Sequence, residues 1–118
     1  MQTNPYAIMN DVRGITFAPT YPTDVSAYGS IEMRKWGRII EYKFGFKITN
    51  AVANQFYDIT LNCPPDCLPI TDKVFSVGNG FATGSALTLV KANGVQRIYA
   101  DRAGTAYVEG TAMYLSAS

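Results

Sequence analysis

From Ser30 onward, large apolar residues recur at every second position. Between Arg38 and Ile48, Ile40, Tyr42, Phe44, Phe46 and Ile48 alternate with Ile39, Glu41, Lys43, Gly45 and Lys47. One parity is all large and apolar while the other carries charges and a glycine, which predicts a half-buried β-strand. A helix would scatter the same aromatics around its circumference. Just upstream, Ile31, Met33 and Lys35 alternate with Glu32, Arg34 and Trp36, and Gly37 follows. Trp36-Gly37 therefore reads as the tip of a hairpin joining two strands.

The same period continues downstream. Gln55 to Leu61 sets Tyr57, Ile59 and Leu61 against Asp58 and Thr60. Cys63-Pro64-Pro65-Asp66-Cys67-Leu68-Pro69 must be a loop, because prolines cannot donate to a ladder. Short strands are expected over Lys73 to Val77 and Ala86 to Val90, with Gly78 to Gly84 as the connection between them. Asn93-Gly94 is the strongest two-residue hairpin signal in the chain, and Val95 to Ala100 is its second strand. A last strand spans about Tyr107 to Leu115. Roughly seven strands joined by short turns describe an all-β fold, a small antiparallel β-sandwich or barrel. Tyr42, Phe44, Phe46, Phe75, Tyr57 and Tyr114 are its expected core aromatics.

The first 29 residues differ from the rest. Pro5, Pro19, Pro22 and Gly14 leave room for one short strand near Ile15 and no long element. Residues 1–29 read as an extended arm that ties residues 30–118 to a neighbour or to a larger assembly, a loosely ordered start being the plain alternative.

Composition narrows the function. At 118 residues the chain is one domain with a modest core. It has no His, which removes the usual nucleophile-activating base and the commonest zinc ligand. A net charge of +1 offers no field for nucleic acid or an anionic membrane. No apolar run approaches the ~18 residues of a membrane span, and no signal-like segment opens the chain. Charged residues make up 16% of the chain against about 25% in an ordinary domain, which suits either a surface partly covered by copies of itself or an ordinary sandwich surface rich in Tyr and Thr.

Few groups are placed for chemistry. Cys63 and Cys67 lack the further ligands of a structural zinc site. Two plain thiols in a loop is the first reading, with a local disulfide or a thiol cluster at an oligomer axis as alternatives. Glu41 and Asp58 lie on polar faces of strands read as neighbours, where pairing with Lys43 or Lys47 is expected rather than glycosidase work. The Gly78 to Gly84 run lacks the Lys-Ser/Thr of a phosphate loop. Arg34, Lys35 and Arg38 surround Trp36 in a base-stacking pattern that the acids elsewhere offset. No enzyme, cofactor or metal is expected. The richest resource is the set of fifteen aromatic residues. Trp36 at a hairpin tip and Tyr99 on the strand that carries Arg97 suit the apolar faces of sugar rings, and Asp101-Arg102 beside Gly104 suits their hydroxyl rims. Trp36 as a simple hydrophobic lid and Asp101-Arg102 as a solvated turn are the bland alternatives.

The order of these elements resembles a known family. Arg34-Lys35-Trp36-Gly37-Arg38-Ile39-Ile40-Glu41-Tyr42 is similar to the hairpin that opens many tailed-phage fibre and baseplate tip domains. The Leu61 to Pro69 loop, the Asn93-Gly94-Val95-Gln96-Arg97-Ile98-Tyr99 hairpin and the closing Tyr114-Leu115 follow in the family's order. Ser30 to Ser118 thus resembles the head domains of lactococcal siphophage receptor-binding proteins. Those heads use a His and a Trp among their sugar contacts, where this chain has no His and shows Ile98-Tyr99. The resemblance implies a homotrimer at a virion tip that binds a host-surface saccharide, attached to a larger virion component through residues 1–29. Trp36, Arg97, Tyr99, Asp101 and Arg102 are the ligand contacts it suggests, in a shallow groove between copies. A purely structural virion module, such as a fibre cap or a capsid-decorating protein, is the alternative, and a carbohydrate-binding module attached to an enzyme is a third. Tyr99 separates the first two, because a Tyr99 in the core would leave adhesion without its best residue.

Overall fold

A strand with one dry face needs partners on both edges, and the alternation around Tyr42 recruits them. The computed structural model describes residues 12–79 and 85–118. Among these residues nine strands form: β1 (Arg13–Ile15), β2 (Val25–Ala27), β3 (Glu32–Trp36), β4 (Ile39–Ala51), β5 (Gln55–Thr60), β6 (Lys73–Asn79), β7 (Ser85–Val90), β8 (Val95–Ala100) and β9 (Gly104–Leu115). A short 3-10 turn over Pro65–Cys67 is the only helical element among them. Every strand pair is antiparallel, in the order β1-β3-β4-β9-β6-β7-β8-β5, with β2 also on β4. The sheet curls on itself, and the all-β antiparallel sandwich-or-barrel class expected from the alternation is the class observed.

β4 and β9 form the spine, paired from Ile39 with Leu115 to Ala51 with Gly104. β3 lies on the first part of β4 and β2 on its later part, so the two are pieces of one interrupted edge. The interruption sits at Gly45. The Tyr28 amide donates to the Gly45 carbonyl at 2.9 Å, and the Tyr28 carbonyl oxygen occupies the space a Cβ on Gly45 would need.

The concave face holds Ile40, Tyr42, Phe44, Phe46 and Ile48 from β4, with Ala106, Val108, Ala112 and Tyr114 from β9. Ile59, Val90 and Ile98 come to the same core from the far side of the curl. Residues 16–21 strap the curl shut: Thr20 exchanges both backbone hydrogen bonds with Thr60, at 2.8 and 3.0 Å. Phe17 and Tyr21 meet Tyr42 and Phe46 edge-on, at 6.1 and 6.0 Å between ring centroids. Part of the expected arm, residues 13–27, is thus woven into the sheet, whereas residues 1–11 lie outside the described residues.

One buried polar chain crosses the core. The Tyr42 hydroxyl donates to Gln96 Oε1 at 2.7 Å, Gln96 Nε2 donates to Thr88 Oγ1 at 3.0 Å, and the Thr88 hydroxyl donates to the Arg97 carbonyl at 3.0 Å. Each member is satisfied, as burial requires. At one end of the spine the proline loop folds over the core, held by the Tyr114 hydroxyl on the Cys67 carbonyl at 2.8 Å. Lys35 has the parity of Met33 and is buried there. Its ammonium donates to the Asp66 and Ser118 carbonyls and to Ser116 Oγ. The basic run around Trp36 therefore loses Lys35 to the interior. Both cysteines are free thiols, and burial pushes the Cys63 thiol up to about 11.

Two other expectations shift. β6 runs on to Asn79, and Gly78 and Asn79 pair with Glu109 and Val108 of β9, so they belong to a strand rather than a connection. Residues 80–84 lie outside the described residues. Glu41 and Asp58 do not face each other. β2, β3 and β9 occupy both edges of β4, which places β5 against β8 instead.

Candidate functional site

The β5–β8 pairing sets Phe56 beside Tyr99 and Asp58 beside Arg97. Ile59, Gln96, Ile98 and Ala100 face the core, so Phe56, Asp58, Arg97 and Tyr99, of the other parity, stand on the outer face. There Arg97 forks onto Asp58, with Nε to Oδ1 at 2.8 Å and Nη2 to Oδ2 at 3.0 Å. Its guanidinium carbon lies 4.8 Å from the centroid of the Phe56 ring, a cation–π distance. Phe56 and Tyr99 are tilted by 53° at 5.5 Å. The Tyr99 hydroxyl donates to Asn54 Oδ1 at 2.7 Å. Asn54 sits at φ +62°, a left-handed turn conformation that Asn tolerates well, and its amide donates to the Ala100 carbonyl at 2.7 Å.

The strands next along the sheet extend this platform with aliphatic side chains. Val74 of β6 and Leu87 and Leu89 of β7 join Phe56, Arg97 and Tyr99 around an open cleft of about 330 Å³. Phe56 is 59% exposed and Val74 65%, so the floor is apolar surface left to solvent. The hydrogen bonds from Arg97 hold the Asp58 carboxyl below the ordinary carboxylate range, and Asp58 in turn holds Arg97 up. Both are charged at neutral pH. The cleft therefore offers an aromatic ledge, a fixed acid–guanidinium fork and a side-chain amide. It carries groups that bind polar rims and apolar faces and, among the described residues, sets no nucleophile beside a base.

The structure brings Arg97 and Tyr99 together and keeps Tyr99 out of the core. Asp101 and Arg102 follow directly on the loop leaving β8, where Arg102 forks back onto Asp101 at 3.1 and 3.2 Å. That contact holds the Asp101 carboxyl low and the Arg102 guanidinium up. Trp36 is elsewhere. It pairs with Ile39 at one end of the β4–β9 spine, while Asn54 lies just past Ala51 at the other. A dozen strand residues at ~3.3 Å each separate the two ends by roughly 40 Å. Trp36 instead borders a shallow recess with Val12, Arg34 and Glu41.

Phe56, Asn54, Asp58 as the partner of Arg97, and the aliphatic floor escaped the sequence reading. A signal was present. Phe56 shares the parity of Asp58 rather than of Tyr57 and Ile59, and Leu87 and Leu89 are out of phase with Thr88 and Val90. A large apolar residue on the polar parity marks a face that is built to be wet on one side only.

No protein-family model and no curated protein matches this chain, so its function is argued from the site. Among the described residues, no cluster of three or more His, Cys, Asp or Glu side chains is placed to hold a metal, and no helix is long and apolar enough to cross a membrane.

Proposed function

We propose that the outer face of β5, β8, β7 and β6 holds a saccharide of a host cell surface, and that the chain is an adhesion module of a phage fibre or baseplate tip. One observation carries the reading. Tyr99 stands outside the core with its hydroxyl fixed by Asn54, beside an Arg97–Asp58 fork laid on Phe56. Sugar rings present apolar CH faces and hydroxyl rims. An aromatic ledge meets the first, and a charged fork with an amide meets the second through strong, directional hydrogen bonds. Because Arg97 and Tyr99 are held by partners of their own, little side-chain freedom is lost on binding. The cleft is shallow, so one site binds weakly and many copies on one particle supply attachment through avidity.

The aliphatic half of the cleft favours a second reading, a structural virion module that covers Val74 and Leu87 with another protein. The two readings separate on one experiment. The purified chain is applied to an array of bacterial cell-wall and capsular saccharides beside its Tyr99→Ala, Arg97→Ala and Trp36→Ala variants. Adhesion requires a saccharide signal that falls at least about tenfold in the first two variants and survives in the third. No signal on any saccharide, or a signal indifferent to Tyr99 and Arg97, overturns it.

A further inference from the structure

The outer face at the opposite end of the spine carries a different pattern, independent of the saccharide cleft. Across β3, β4 and β9, Trp36, Ile39 and Leu115 form one row, and Val12 precedes the Arg13–Lys35 pair to extend it past β3. The next outward row runs Gly14, Arg34, Glu41, Met113. The third brings Glu32 beside Lys43 and Thr111. Leu115 and Met113 are 52% and 55% exposed. The face ends where Tyr28 covers Gly45.

We infer that this face is a two-fold interface between two copies of the chain. Its charges are self-complementary, and it leaves space over Gly14 for a side chain. A two-fold axis parallel to the strands, on the seam between β3 and β4, lays each row on itself in reverse. Trp36 then meets Ile39 of the second copy, and Val12 meets its Leu115. In the next row Arg34 meets the second copy's Glu41, and Met113 enters the space over its Gly14, where nothing lies within 4 Å of a notional Cβ. In the third row Glu32 meets the second copy's Lys43. Because Arg34 lies beside Glu41 and Glu32 beside Lys43 across the β3–β4 seam, the two-fold sets each of these charges against its opposite, as an isologous contact requires. The resemblance to phage heads leads instead to a three-fold expectation, and the mass in solution separates the two.

The area sets the strength. Four strands ~4.8 Å apart and three rows ~6.8 Å apart cover roughly 400 Å² per copy, about half of a standard interface. The dimer therefore forms at high protein concentration and dissociates on dilution.

Sedimentation equilibrium of the full chain from about 10 μM to about 1 mM tests this. The mass is expected to climb from 12.9 kDa toward twice that value and to stop there. Arg34→Glu alone and Glu41→Arg alone each put like charges in contact across the axis and weaken association at least about tenfold. Mixed in equal amounts, the two variants pair opposite charges at both contacts and associate again. Arg34 and Glu41 are also neighbours within one sheet. The mixture isolates the contact between copies, since each chain keeps its own substitution throughout. Thermal melts confirm that the variants fold, and Leu115→Ser weakens the dimer without touching the charges. A mass that stays at one chain at the highest concentration, a trimer, or a mixture that associates no better than its components overturns the inference.

Discussion

Gly45→Ala is the sharpest test of how the edge of β4 is built. A Cβ there falls far inside the 3.0 Å limit of real Cβ contacts, and the atom it meets is the Tyr28 carbonyl oxygen, part of the backbone. The Tyr28 segment must retreat by roughly 1 Å, and overpacking of this kind costs about 1–3 kcal/mol. The retreat breaks the hydrogen bond from Tyr28 to Gly45, about 1 kcal/mol. It also loosens the Tyr28–Tyr107 ring contact, now at 4.7 Å, for about another 0.5–1 kcal/mol. Reduced freedom of the unfolded chain returns about 0.4–1 kcal/mol. The net loss is about 2–4 kcal/mol. With a urea dependence of about 1–3 kcal/mol per molar, the unfolding midpoint drops by about 1–2 M. Gly14→Ala is the control, since a Cβ there meets nothing within 4 Å. Urea titrations of both variants, followed by circular dichroism at low protein concentration, decide the matter. A Gly45→Ala midpoint no lower than that of Gly14→Ala refutes the packing argument.

Four further outcomes follow from other contacts in the molecule. Tyr42→Phe strips the donor from Gln96 Oε1 in the dry core and should cost about 1–3 kcal/mol by urea unfolding, where a loss under about 0.5 kcal/mol contradicts the buried chain. Burial raises the Cys63 thiol from 9.0 to about 11, so at pH 8 iodoacetamide should label it about a hundredfold more slowly than a free cysteine. Because the folded value lies above the unfolded one, that group's share of stability is intact below pH 9 and declines as pH rises toward 11, which midpoints measured across that range will show. Asp58 titrates below its ordinary 3.8 because Arg97 hydrogen-bonds its carboxylate, so saccharide binding should be flat from pH 8 to pH 5 and fade only as pH drops through that lowered value. Loss of binding near pH 6 argues against a role for the fork.

Much of the fold was legible in residue parity. The run from Ile39 to Ile48 set β4 and its dry face, and Asn93-Gly94 set the β7–β8 turn, with Gly94 at φ +93°. Even the burial of Lys35 was written in its parity with Met33, although its charge argued for solvent. What escaped were contacts between distant segments. The short strand expected near Ile15 is β1, but its place on β3 was not legible, and β2 is three residues in a proline-bearing stretch that only pairing with β4 makes a strand. The site was half legible. Arg97 and Tyr99 alternate outward on one strand, but Phe56, Asp58 and Asn54 join them only because β5 lies against β8. Trp36 left the group for the same reason, since strand order places it at the other end of the spine.

A saccharide on the Tyr99 face is tested most directly by titrating the isotope-labelled chain with host cell-wall saccharide and following the backbone amide shifts in solution. Shifts are expected at Asn54, Phe56, Asp58, Arg97 and Tyr99, with Trp36 and Leu115 unmoved. A spectrum that does not respond, or responds around Trp36 instead, contradicts it.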